Sequence, residues 1–199
     1  MIEKSSSLAL PGRRRFLRVA GTGVLSAAAV GILAGNSAMA ASKAKGKKSA
    51  EHDAAILNVA LGLEWEGIGA YQLGAESGLL SQGVLPVAVM FQSHHKAHAE
   101  ALVNAIHQLG GKAVEPKSSA EYATALNAGA LKSEADVLAL ALKLEKGAAN
   151  AYLGVIPSFT DPAFAQVSCR LAADEVMHWT VLAQATGRPL PTEAIYFGG

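Results

Sequence analysis

Three of the six histidines in this chain fall within five residues: His94, His95 and His98 in FQSHHKAHAEAL. Further along, DEVMH sets Glu175 three residues before His178. On a helix, spacings of three and four put side chains on one face. Imidazole nitrogens and carboxylate oxygens gathered on such a face are the donors that iron, manganese or zinc ions accept. A single Glu-x-x-His pair is common by chance. Two more carboxylates strengthen the pattern, Glu64 in LGLEWE and Glu145 in LKLEKG. Each is flanked by leucines, and a carboxylate buried with them is costly without a partner.

A repeat ties these residues together. LNVALGLEWEGIGAY (57–71) aligns without gaps to LALALKLEKGAANAY (138–152), with seven of 15 positions identical, including Glu64/Glu145 and Tyr71/Tyr152. The segments that follow also correspond. His95, His98 and Leu102 match Glu175, His178 and Leu182. Each copy therefore carries one glutamate and then a ligand pair spaced i, i+3. His94 is an alternative to His95, pairing with His98 at i, i+4, but its counterpart is Asp174. Glu66 is an alternative to Glu64, but its counterpart is Gly147. Tyr71 and Tyr152 read as core residues with satisfied hydroxyls. Trp65, Trp179, Met177 and Cys169 read as core, and His52 and His107 as solvent-facing or capping.

The elements that must position these groups are helices. Apolar residues at 56, 57, 60, 61, 63 and 68 form a helical stripe, and nothing comparably long alternates with period two. Four helices are expected at about 51–77, 85–109, 134–157 and 162–186. Gly78 stops the first, and Pro86 suits the first turn of the second. Ser133 with Asp136 resembles a capping box, and Asp161-Pro162 an N-cap with a first-turn proline. Two short turns make two antiparallel hairpins. A long link between them, about 110–132, contains a short helix near SSAEYATALNAG. Glu64 and His95 are equidistant from the first turn, as Glu145 and Glu175 are from the second. Glu64 lies 14 residues before Gly78 and His98 lies 12 after Pro86, so at ~1.5 Å per residue both sit ~20 Å from the hairpin end, and these side chains can meet at one height in an all-α antiparallel four-helix bundle.

From about 51 to 187 the chain resembles the ferritin-like superfamily, which includes rubrerythrins, bacterioferritins and manganese catalases. The resemblance implies a glutamate on helix one, Glu-x-x-His on helix two, and the same again on helices three and four. By position it implies the metal ligands Glu64, His95, His98, Glu145, Glu175 and His178. Helix two departs from the pattern, because His95 stands where the family carries glutamate. Three carboxylates leave two divalent ions one negative charge short of neutrality, and one bridging carboxylate is lost. The resemblance implies Fe or Mn, while the added nitrogen makes Zn or Cu more credible. With one cysteine in the chain, no rubredoxin-like centre and no intrachain disulfide can form.

The N-terminal stretch GRRRFLRVAGTGVLSAAAVGILAGNSAMA reads as a twin-arginine export signal over 1–40. It is to be removed after Ala40, leaving a Lys-rich disordered linker at 41–50 and the ferritin-like domain at 51–199. Its apolar run is too short and Gly-rich for a stable membrane span. Twin-arginine exporters carry folded proteins, so the expected compartment is the periplasm. Removing five basic and one acidic residue from totals of 17 and 16 leaves 12 and 15, a net of −3. That balance argues against nucleic acid as a partner. The expected partners are metal ions and the export machinery, with the oligomeric state open. Two functions follow: a dinuclear Fe/Mn protein acting on oxygen, peroxide or the metals themselves, or a non-catalytic protective bundle with a mononuclear or vestigial site.

Overall fold

A computed structural model describes residues 45–198; the expected signal and positions 41–44 of the linker lie outside them. Five α-helices follow in order: α1 Lys45–Glu76, α2 Leu85–Gln108, α3 Ser119–Ala125, α4 Glu134–Val155 and α5 Pro162–Ala185. Short 3-10 turns occupy Ala128–Ala130 and Ile156–Ser158. Among the described residues there is no strand. Helices α1 and α2 form one hairpin, α4 and α5 the other, and the short α3 lies on the crossover between them.

Local chemistry sets the ends. Gly78 takes φ +70 after α1 and Gly110 takes φ +74 after α2, left-handed values that side chains disfavour. Pro86 sits in the first turn of α2. Ser118 and Glu121 form a complete capping box on α3. Ser133 accepts from the Asp136 N–H at the start of α4, while the Asp136 carboxylate accepts from the Lys132 N–H rather than closing the box. Asp161 caps α5 through the Ala163 N–H.

Two departures from expectation have clear causes. Helix α1 begins at Lys45, so 45–50 is helical rather than disordered. It is held there from the far hairpin: the Thr160 hydroxyl donates to the Ser49 carbonyl, and the buried Asp53 carboxylate accepts from the Thr160 and Asp161 N–H groups, both at 2.9 Å. Met177 and Cys169, expected in the core, are exposed on the outer face of α5. A helix hydrophobic nearly all round does not reveal from periodicity alone which residue falls outside.

The core has two apolar layers. Leu57, Leu61, Leu102, Ile106, Tyr152 and Leu171 belong to one. Tyr71, Phe91, Leu138, Leu142, Trp179 and Leu182 belong to the other. After α5 the chain folds back, placing Tyr196 and Phe197 on Trp179 and the Lys146 ammonium 3.6 Å over the Tyr196 ring.

Candidate metal centre

Between the two apolar layers, the four long helices bring together Glu64 from α1, His95 and His98 from α2, Glu145 from α4, and Glu175 and His178 from α5. All six are buried. Their donor atoms form two overlapping groups, each with its atoms within 4.8 Å of one another. One contains Glu64, His95, His98 and Glu175; the other contains His95, Glu145, Glu175 and His178. His95 and Glu175 belong to both. Glu66 lies outside these groups.

His95 occupies the middle. Its Nδ1 lies 2.8 Å from Glu64 Oε2, and its Nε2 lies 3.2 Å from Glu145 Oε1. One imidazole thus faces a carboxylate from each hairpin. Gly67 makes room for the ring, since a Cβ there would come within 3.2 Å of Nδ1. His98 Nδ1 faces Glu175 Oε1 at 3.1 Å, and His178 Nδ1 faces Glu145 Oε2 at 3.3 Å.

The outer nitrogens are also engaged, and here sequence reasoning missed two participants. His98 Nε2 donates to Asp174 Oδ2 at 3.1 Å. His178 Nε2 shares a hydrogen bond with His94 Nδ1 at 2.9 Å. His94 lies outside both groups and meets the ring of His178 instead. Positions 94 and 174 are repeat counterparts, and each supports the histidine of the other hairpin. The tyrosines cross in the same way. Tyr71 donates to Glu145 and Tyr152 to Glu64. In both sets of pairs the residue numbers run in opposite directions, so α1 lies antiparallel to α4 and α2 to α5. The repeat shows the counterparts; only this register shows that they brace each other crosswise.

The electrostatics follow from burial and pairing. Burial alone would raise the Glu64 carboxyl, but hydrogen bonds and charge from His95 and His98 outweigh it and hold the group low. Glu145 is likewise held low, with His178 and His95 overcoming burial. Glu175 is different. Burial pushes it up to about 7 despite the neighbouring imidazoles of His178 and His98. Burial would lower the three inner histidines, but their carboxylate partners raise His95, His98 and His178, His98 to about 10. His94 is lowered, first by burial and then by His178.

The donor set fits divalent metal. Glu175 Oε2 is buried and accepts no hydrogen bond, although His178 Nδ1 lies 3.5 Å away. A buried carboxylate oxygen without a partner is expensive. It belongs to a cluster of three carboxylates and three imidazoles with Nδ1 atoms turned inward, and a cation among them would satisfy it.

A family model for the ferritin-like domain matches residues 52–188. The chain belongs to that family. Among solved structures, this ferritin-like domain is similar to the crystal structure of a conserved hypothetical protein, rv2844, from Mycobacterium tuberculosis. The two share 20% identity and a TM-score of 0.58, over 75% of this chain and 99% of that one. At that identity the likeness speaks for the fold. No curated protein matches the chain.

Proposed function

We propose that this ferritin-like domain holds two divalent metal ions, Fe or Mn before Zn, in the two overlapping donor groups. The observation that carries the proposal is the sharing of His95 and Glu175 between two otherwise separate buried sets, one set completed by each hairpin. Glu64 and His98 would serve one ion, Glu145 and His178 the other. Glu175 would serve both; its two oxygens facing His98 and His178 respectively support this. Bound there, the ions would supply chemistry toward oxygen or peroxide. The chain's contribution is to fix the donors: Tyr152 and Tyr71 orient Glu64 and Glu145, and Asp174 and His94 orient His98 and His178.

A second reading has its own observation. Protonated at both nitrogens, His95 would donate to Glu64 and Glu145 at once and occupy the centre as an internal cation. This supports a protective bundle with one metal or none. Metal analysis and oxidation kinetics separate the readings. Two metals per chain, with ferrous-loaded protein consuming oxygen or peroxide and losing that activity sharply in Glu175→Ala, are expected. Restoring the family residue with His95→Glu should preserve or raise the rate. One metal per chain, or oxidation no faster than free iron, would leave only the holding or structural role.

The compartment belongs to the same proposal. The Arg13-Arg14 run, the Gly- and Ala-rich stretch after it and Ala38-Met39-Ala40 support twin-arginine export to the periplasm. Among the described residues no helix is long and apolar enough to cross a membrane. Cell fractionation of wild type and an Arg13→Lys/Arg14→Lys variant tests this. Export that persists unchanged in the variant would refute it.

A further inference from the structure

A cavity of about 180 Å³ lies at the end of the bundle that carries the α1–α2 turn, bounded by α1, α2, α4, α5 and the crossover. Of its twenty lining residues only Tyr71 has a polar side-chain atom, and that hydroxyl already donates to Glu145. Water is poorly served there, because a buried water needs two to four polar partners. Left empty, a space this large costs its lining the dispersion contacts a close-packed core would supply. An apolar cavity of roughly 150 Å³ in another protein stays dry and takes up benzene or xenon.

The cavity is placed as well as sized. Exposed Gly83, Val181 and Ala185 lie on its outer wall, so it reaches the surface. Its inner wall includes Tyr71 and Phe91. The Tyr71 ring lies 5.4 Å from that of His95, and the Phe91 ring stacks on His178 at 4.1 Å. One layer of aromatic rings separates the cavity from the metal donors.

We propose that this cavity is a binding site for one small uncharged apolar molecule, the size of a substituted benzene ring or a short hydrocarbon chain, seated against Tyr71 and Phe91 beside the metal centre. Charged molecules are excluded because no lining side chain could pair with them. The site does not depend on metal, since none of the six inner donors lines it.

Toluene is the probe, with benzoate as the charged control. Methyl NMR of the metal-free full chain should show saturable shifts at Leu138 and Leu182, and thermal denaturation should show a higher midpoint with toluene. Benzoate should bind at least tenfold more weakly. Ala141→Leu fills the cavity from α4 and should abolish the toluene shifts. Should it fail to fold, Ala128→Leu fills the cavity from the half-buried crossover wall and should weaken binding at least tenfold. Absent shifts at Leu138 and Leu182, equal binding of benzoate, or undiminished binding in the folded filling variants would overturn the proposal. Because the readout uses metal-free protein, its failure would leave the metal reading standing, and the reverse also holds.

Discussion

At the scale of single residues, the histidine at 95 determines the character of the centre. A glutamate there would offer two oxygens from one small carboxylate. The imidazole offers one nitrogen to each hairpin, and both already face carboxylates. The outer supports distinguish the two sides further. Asp174 gives His98 an anionic partner, whereas His94 gives His178 a second imidazole. His178→Ala should therefore remove one ion outright. His94→Ala should keep the stoichiometry but lower affinity at that position by roughly 10- to 100-fold, the usual cost of losing an outer partner; calorimetric titration with Mn(II) checks both. Equal loss from the two changes would make His94 itself a ligand. That the six inner side chains come together was legible because the repeat and the level spacing are properties of sequence. The supporting pairs were not, because they depend on how α2 lies against α5, and the two helices are distant in sequence.

At the scale of elements, close approaches hold the helices in register. A Cβ at Gly69 would come within 2.7 Å of the Tyr122 ring, so α3 rests directly on the backbone of α1. Gly69→Ala should destabilise the fold by ~1–3 kcal/mol, as overpacked cores do, in urea unfolding of the metal-free chain. Asp53 does comparable work at the other end, tying α1 to the turn between α4 and α5. Asp53→Ala would strand two N–H groups and should cost ~1–3 kcal/mol with metal stoichiometry unchanged. Four long helices and their turns were readable from apolar stripes, Gly78, Pro86 and Asp161-Pro162. The start of α1 was not, because Lys45–Ala50 has no apolar stripe and its order comes from Thr160 across the bundle.

At the scale of the molecule, protons and metal would compete for the same donors. His98 is raised from 6.5 unfolded to about 10 folded, so its contribution to the metal-free fold is full below pH 6.5 and is lost as pH rises through about 10. Glu64 and Glu145 act at the other limit. Their folded values lie below 4.5, so their contribution is present above that pH and is lost as pH falls through the folded values. Metal needs deprotonated imidazole, so the stabilisation it confers grows as pH rises. The urea midpoint of chelator-treated protein should fall on the alkaline side, while its gap to the Mn(II)-loaded protein widens. A gap constant from pH 6.5 to 10 would show that metal does not displace the His98 proton.

The crosswise bracing also bears on how copies of this chain could exchange parts. Tyr71 to Glu145, Tyr152 to Glu64, His94 to His178 and His98 to Asp174 all run from one hairpin to the other. A dimer in which two chains traded hairpins would keep every one of them, with the crossover as hinge. The crossover is pinned against this. Asn58 on α1 donates to the Lys112 carbonyl and accepts from the Val114 N–H, while the Trp65 indole donates to the Val114 carbonyl. Those three bonds lie within one hairpin and its own outgoing chain, so they fix the direction in which the crossover leaves α2. Loosening that anchor, as Asn58→Ala would, removes the contacts that steer the second hairpin back onto its own partner rather than a neighbour's.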